Sequence, residues 1–361
     1  MPKAAVDAVI INNGAVVLVK RKKEPFKGLY ALPGGFLEEY ESYEQALKRE
    51  VKEETGLDVE ILSIVNAYSS KERDPRDVAT VAFLCYSKNF NVKKDSEETE
   101  VFIKPLYEAL NMKLAFDHNA ILKDAVNAYV HYTIDKFLYI ARLNKAPVLF
   151  IDKGNDFQRL VFVFLSSRTK DETTYKAWKR LFSRFEKPEE IANADIKLLE
   201  ELIRPVAFYR EKAKRLKEMC NVIAKDKKIL ENREELLKIK GIGKKTVNVY
   251  FSEKGKPYIG VDTHVHRIAN RLCLVKAKTP SETEKMLDML NEENKKQINL
   301  AFVAYGQTIC KAKNPLCNVC PLFYMCGYDK KSLGKNDRLN KDEIKRGWNK
   351  EAEIIGKMKK W

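Results

Sequence analysis

The pattern of apolar and polar positions changes once along the chain. Ala4 to Ile11 and Ala15 to Lys20 are short β-branched runs joined by Asn12-Asn13-Gly14, a spacing that predicts a β-hairpin. Val59 to Tyr68 and Val78 to Tyr86 have the same character around a polar loop and predict two more strands. Between these pairs, Tyr43 to Glu54 has helical periodicity, and Gly56 supplies its stop. Asn119 to Leu143 reads as a longer helix of mixed faces, broken at Asn144-Lys145-Ala146-Pro147. From Phe157 onward the period is helical, in LVFVFLSSRTKDETTYKAWKRLF, PEEIANADIKLLEELI and RPVAFYREKAKRLKEMCNVI, with Pro188 and Pro205 near helix starts. A strand-rich half therefore precedes an all-helical half, and the junction falls in the 130s to 140s without a Gly/Ser- or Pro-rich linker.

Length and composition fit that division, since 361 residues at 45% hydrophobic content support two ordinary cores. The most conspicuous apolar run, Leu160 to Leu165, is far too short to cross a membrane, and the first residues lack a charged-then-apolar signal pattern. The expectation is a protein of the reducing cytoplasm with no membrane partner. Charge sharpens the picture. The formal net charge is +16, yet Met1 to Lys145 carries 21 Lys and Arg against 22 Asp and Glu, so the whole excess lies in the helical half. Such an excess suits a polyanionic partner whose binding weakens with salt.

Cysteine spacing adds chemistry to the same half. Cys310, Cys317, Cys320 and Cys326 are separated by six, two and five residues, while Cys85, Cys220 and Cys273 stand alone and read as small apolar packing groups. A long chain without a secretory signal disfavours a disulfide framework. One close pair and no histidine departs from the usual structural zinc pattern, whereas four thiolates in one loop suit a [4Fe–4S] cluster. Lys311 and Lys313, between the first two cysteines, are placed to meet DNA phosphates or simply to be solvated.

The stretch Ile239 to Arg267 combines Gly241 and Gly243 in a predicted hairpin, Lys244 and Lys245 at the following helix start, and an isolated Asp262. Backbone N–H groups and the positive helix end favour a phosphate there. Read alone, the glycines also fit an ordinary helix connection, and Asp262 also fits a helix N-cap. GIGKKT followed by VDTHVHR, together with the cysteine loop, resembles the helix-hairpin-helix DNA glycosylases of the endonuclease III type, over about Pro147 to Tyr328. The resemblance implies that Lys245 attacks C1′ of an extruded nucleotide, that a Schiff base then permits β-elimination, and that Asp262 stabilises the cationic sugar. The amine must be unprotonated for that attack, and cationic Lys244 with partial desolvation acts in that direction. It further implies that LSSRTKD, Leu165 to Asp171, matches the damage-facing helix. Arg168 stands there where relatives often carry glutamine, and would fill the gap left by the base. Lys240 replaces a common proline beside the hairpin.

In the strand-rich half, Glu50, Glu53 and Glu54 fall at i, i+3 and i+4 of one predicted helix face. Three like charges suit a hard divalent cation with oxygen ligands, or else a solvated acidic face. The full pattern from Gly35 through Glu41, Arg49-Glu50, Glu53-Glu54 and Gly56 resembles the Nudix box, and the resemblance covers about Met1 to Val130. It implies metal-dependent hydrolysis of a nucleoside diphosphate linked to another group. Glu50, Glu53 and Glu54 would hold Mg2+ or Mn2+, with Glu53 catalytic, and Gly35, Glu41, Arg49 and Gly56 would shape the loop and helix. RDPR, Arg73 to Arg76, and AFDHNAILKDA, Ala115 to Ala125, are similar to the ADP-ribose pyrophosphatases of that family, while 8-oxo-dGTP is the competing substrate.

The expected fold is thus an α/β/α Nudix sandwich at 1–132, an all-α helix-hairpin-helix glycosylase with its [4Fe–4S] loop at 133–328, and a basic extension at 329–361. The expected partners are double-stranded DNA bearing a damaged base or abasic site, and a small nucleoside diphosphate substrate. Two other readings remain: an adenine glycosylase, which would lack the hairpin lysine and place an acid in the damage-facing helix, and a DNA-binding sensor whose Nudix fold does not hydrolyse. No acid occurs from Arg159 to Thr169.

Overall fold

Asn13 and Gly14 adopt positive φ, +47° and +71°, as a tight hairpin turn requires. They join β1 (Lys3–Asn12) to β2 (Ala15–Arg21), with Asn12 opposite Ala15. β3 (Tyr30–Ala31), β4 (Gly34–Phe36), α1 (Tyr43–Thr55), β5 (Glu60–Tyr68), β6 (Val78–Tyr86), β7 (Thr99–Pro105), α2 (Leu106–Ala109) and α3 (His118–Leu143) follow. This computed structural model describes residues 2–89, 91–92 and 99–331.

The strands form one mixed sheet in the order β3-β2-β1-β6-β5, with β4 added to β1 and β7 to β2. Among the described strands the β1–β6 pair is parallel, Val6 facing Val81 and Ile10 facing Cys85. That pairing buries β1 almost completely, consistent with its near-continuous apolar run. α1 begins at a capping box, Ser42 with Gln45, and ends at left-handed Gly56. It lays Ala46, Leu47 and Val51 onto Val6, Ala8 and Val17 of the sheet.

The remaining helices are α4 (Asp156–Ser166), α5 (Asp171–Phe182), α6 (Pro188–Asn193), α7 (Ile196–Ile203), α8 (Tyr209–Lys225), α9 (Arg233–Lys238), α10 (Lys244–Glu253), α11 (Thr263–Arg271), α12 (Pro280–Leu287) and α13 (Glu292–Thr308). α4, α5, α7, α8 and α10 share a core that includes Leu160, Phe164, Trp178, Leu199, Leu216 and Tyr250. By packing, the chain divides into a unit of Met1–Ile140, Arg267–Lys276 and the described residues from Ile309, and a unit of Ala141–His266 with Ala277–Thr308. The cysteine loop therefore packs in the same unit as the sheet. Most of the expected basic extension, 332–361, lies outside the described residues. Among those described, no helix is long and apolar enough to cross a membrane.

One local expectation needs correction. Leu165 to Asp171 is not one helix: α4 stops at Ser166, and Ser167 to Lys170 forms a turn before α5. Arg168 takes φ +57°, and the buried Lys212 ammonium donates to the carbonyls of Leu165 and Ser167, at 2.7 and 2.6 Å. A cation on those carbonyls stabilises the helix end where the periodicity ran on. Pro205 lies four residues before its helix, since α8 starts at Tyr209 after a left-handed Phe208.

Candidate functional site

In the first unit, a cleft of about 820 Å3 opens beside the sheet, lined by Glu50, Glu53 and Glu54 together with Asp7, Arg21, Lys23, Arg76 and Phe116. α1 and β4 create it together. A Cβ on Gly35 would sit 2.3 Å from the Glu50 carboxyl carbon, so only glycine permits that approach. Glu54 accepts the Gly34 N–H at 3.0 Å. Arg49 holds Glu41 by two bonds of 3.0 Å, Glu50 at 2.9 Å and the Phe36 carbonyl at 3.0 Å. Those hydrogen bonds keep the Glu41 carboxyl below its ordinary range.

The carboxylates of the cleft shift the other way. Burial pushes Glu54 up to about 8 against the Gly34 hydrogen bond, and burial raises Glu50 despite Arg49. Glu53 is the outer member of the three, its side chain 60% exposed. Among the described residues no group of three His, Cys, Asp or Glu side chains is gathered as a single-ion site. The donor set still fits a hard divalent cation, since three carboxylates share one cleft and burial raises the proton affinity of two of them.

Spacing did not reveal how the RDPR and AFDH segments divide their work. Arg73 is buried between Asp7 at 3.4 Å and Asp117 at 3.0 Å, so it braces the cleft from within. Asp74 grips Arg76, whose guanidinium lies 5.3 Å from the rings of both Phe36 and Phe116. His118 is buried, which lowers its pKa; its Nδ1 accepts from Leu32 N–H at 2.8 Å, and Nε2 lies 3.4 Å from Asp7. Asp7 carried no sequence signal, and Phe116 entered only as part of the AFDH segment.

The second unit contains the hairpin. Gly241 has φ +92°, and a Cβ there would meet Arg215 Cδ at 2.7 Å, whereas Gly243 faces open space. Gly243 is the N-cap of α10 and offers no side-chain cap, so the first-turn N–H groups face outward beside exposed Lys244 and Lys245. Lys244 pairs with Glu284 at 2.9 Å, which offsets the cationic influence expected of it on Lys245. Asp262 fills the N-cap role considered for it. Oδ1 caps α11 by accepting from His264 N–H and Val265 N–H at 2.8 and 2.9 Å, and Oδ2 lies 2.9 Å from His264 Nδ1. Burial works against its charge, but the His264 bond, the Val265 N–H and the Lys245 charge hold the carboxyl below its ordinary range.

Arg168 is exposed and lies 5.5 Å from the ring of Phe208, itself 62% exposed and left-handed. Sequence reasoning missed Phe208; a bulky aromatic directly before a helix start was its only trace. In the first unit, Cys310, Cys317, Cys320 and Cys326 line one cavity with Ile309, Leu316 and Phe323, and none forms a disulfide. Arg271 donates to Cys310 Sγ at 3.1 Å, and burial raises the Cys326 thiol to about 11. Four sulfur donors in an apolar pocket fit a cluster of iron and sulfide. Lys311 and Lys313 are exposed on the same loop.

Residues 161–292 match the family described as HhH-GPD superfamily base excision DNA repair protein, and residues 1–125 match the NUDIX domain. The chain is similar to endonuclease III of Thermotoga maritima, 41% identical over 52% of this chain and 89% of that protein. It is also similar to the ADP-ribose pyrophosphatase of Methanocaldococcus jannaschii, 44% identical over 34% of this chain and 72% of that protein. Among solved structures, a trapped endonuclease III–DNA covalent intermediate aligns at a TM-score of 0.50 and 30% identity, covering 55% of this chain and 95% of that one.

Proposed function

Because this chain belongs to the endonuclease III family of base-excision repair enzymes and carries a NUDIX domain of the ADP-ribose pyrophosphatase type ahead of it, we propose that it is a bifunctional glycosylase and lyase for oxidised pyrimidines, fused to an ADP-ribose hydrolase. The observation that carries the first half is Asp262, a largely buried carboxylate 2.9 Å from His264 Nδ1, held below its ordinary range chiefly by that bond and to a smaller degree by the charge of Lys245.

In this reading the uncapped turn at Gly241 to Lys244 anchors a backbone phosphate, and Arg168 and Phe208 fill the space of an extruded nucleotide. Lys245 Nζ attacks C1′ and displaces the base. The resulting Schiff base acidifies the adjacent C2′ proton, whose removal expels the 3′-phosphate by β-elimination. Asp262 Oδ2 stabilises the positive charge that develops at the sugar. Cys310, Cys317, Cys320 and Cys326 would hold a [4Fe–4S] cluster whose contribution is to order the loop bearing Lys311 and Lys313.

In the NUDIX cleft, Glu50 and Glu54 would hold Mg2+ or Mn2+ with Glu53. A bound cation would supply charge stabilisation on the pyrophosphate. Exposed Glu53 takes the proton of the attacking water, Arg76 and Arg21 meet the phosphates, and Phe116 offers a ring face to the base. ADP-ribose is favoured over 8-oxo-dGTP by the likeness to the archaeal pyrophosphatase.

The test is borohydride trapping on duplexes with thymine glycol, dihydrouracil, an abasic site, or adenine opposite 8-oxoguanine. An adduct on an oxidised pyrimidine that vanishes in Lys245→Ala is expected. Adenine release without an adduct would replace this reading by the adenine glycosylase one. For the NUDIX half, Mg2+-dependent release of AMP from ADP-ribose, abolished in Glu53→Gln, is expected; faster turnover of 8-oxo-dGTP would reassign the substrate.

A further inference from the structure

Tyr129, on α3, is fully buried, and its hydroxyl has no hydrogen-bond partner among the described residues. Buried phenols are nearly always paired, so an orphan of this kind points to an acceptor that the protein atoms do not supply. Burial pushes the phenol well above its ordinary range, and Cys326, Cys320 and Cys273 are the next groups acting in the same direction. Two of those three sulfurs belong to the cavity already described.

A second set of contacts, within the same compact unit, ties the cysteine loop to the first hairpin. Asn13 N–H donates to the Tyr324 carbonyl at 2.8 Å and Gly14 N–H to the Met325 carbonyl at 2.7 Å. Lys331 Nζ closes the junction by donating to Asn13 Oδ1 at 2.5 Å, Phe323 O at 2.9 Å and Cys326 O at 2.5 Å. The Tyr86 and Tyr324 rings stack at 6.4 Å. The approach is close enough that a Cβ on Gly14 would lie 2.5 Å from Cys273 Sγ and 2.9 Å from Gly327 Cα.

We propose that the NUDIX part of this chain braces its iron–sulfur site: the Asn13-Gly14 turn clamps the cysteine loop, and Tyr129 Oη is a hydrogen-bond donor to the sulfur held there. The proposal rests on the cluster reading given above. Its consequence is that the strand-rich half serves the cluster as well as its own substrate. A donor to cluster sulfur favours the more reduced, more negative state, so removing it lowers the potential.

The test uses the full chain. Iron and sulfide analysis of the native protein comes first, with about four of each expected per chain; a native chain without iron would overturn the cluster reading and this proposal together. Tyr129→Phe deletes one oxygen and keeps the ring. It should still bind iron, but with a more negative reduction potential and with bleaching in air about fivefold faster, the effect of one ordinary hydrogen bond. Gly14→Ala should lose iron to a chelator about tenfold faster, the size of a contact worth about one ordinary hydrogen bond or slightly more. Gly28→Ala is its control, since Gly28 has a similar φ of +86° with nothing within 4 Å of an added Cβ. If native iron is present but Tyr129→Phe keeps its potential and bleaching rate, or Gly14→Ala loses iron no faster than Gly28→Ala, the proposal is wrong and the cluster reading stands.

Discussion

A guanidinium reaches several acceptors at fixed angles, and Arg49 uses that property on Glu41, Glu50 and the Phe36 carbonyl together. Lysine keeps the charge but cannot fork. Arg49→Lys should therefore lower ADP-ribose hydrolysis about 10- to 100-fold through loss of ligand positioning, with an unchanged circular dichroism spectrum; unimpaired steady-state turnover would refute the positioning role. Lys212 is a second residue whose surroundings set its chemistry. Burial lowers its pKa from 10.5 to about 8, and its partners are carbonyls rather than an acid. Between those two values the unfolded chain binds the proton that the folded chain has released, so the folded state gains stability as pH rises. The stability of the native chain relative to Lys212→Met should be flat below about pH 8 and rise toward pH 10.5. Urea unfolding of both proteins across that range checks the sign, and a difference that falls with pH would contradict it.

At the scale of elements, the hairpin and α10 divide labour between their two glycines. Gly241 is required by backbone shape, at φ +92° over Arg215, whereas Gly243 has open space and no φ strain. Gly241→Ala should destabilise the protein by about 1–2 kcal/mol and weaken duplex binding, while Gly243→Ala should lower thermal unfolding less, by the smaller cost of alanine at an N-cap. Differential scanning calorimetry separates the two, and equal melting shifts would show that the turn does not depend on Gly241. The glycine spacing and the lysines were legible because they are local. Glu284, which pairs with Lys244 and accepts from Asn248 at 2.9 Å, was not, because its partners are brought to it by the return of α12. The break at Ser167 was hidden for the same reason: the carbonyls that stop α4 are satisfied by a lysine 45 residues or more away.

At the scale of the whole molecule, the positive excess lies entirely in the residues after Lys145. Duplex affinity should fall with salt at a log–log slope of about −3 to −5, the signature of several phosphate contacts, whereas ADP-ribose turnover should respond weakly. Fluorescence anisotropy across a salt series checks this, and a flat response would remove the electrostatic account of DNA binding. The sequence by itself determined the two families and displayed the four-cysteine spacing, the box carboxylates and the positions of Lys245 and Asp262, because each is written as fixed spacing within a short segment. Only the tertiary structure decided that Arg73 braces the cleft while Arg76 faces it, that Asp7, Phe116, Phe208 and Lys212 belong to the story, and that the cysteine loop packs on the first hairpin. Those facts depend on hydrogen bonds and packing between residues tens to hundreds of positions apart, such as Asn13 with Lys331, and no periodicity in a linear chain encodes them.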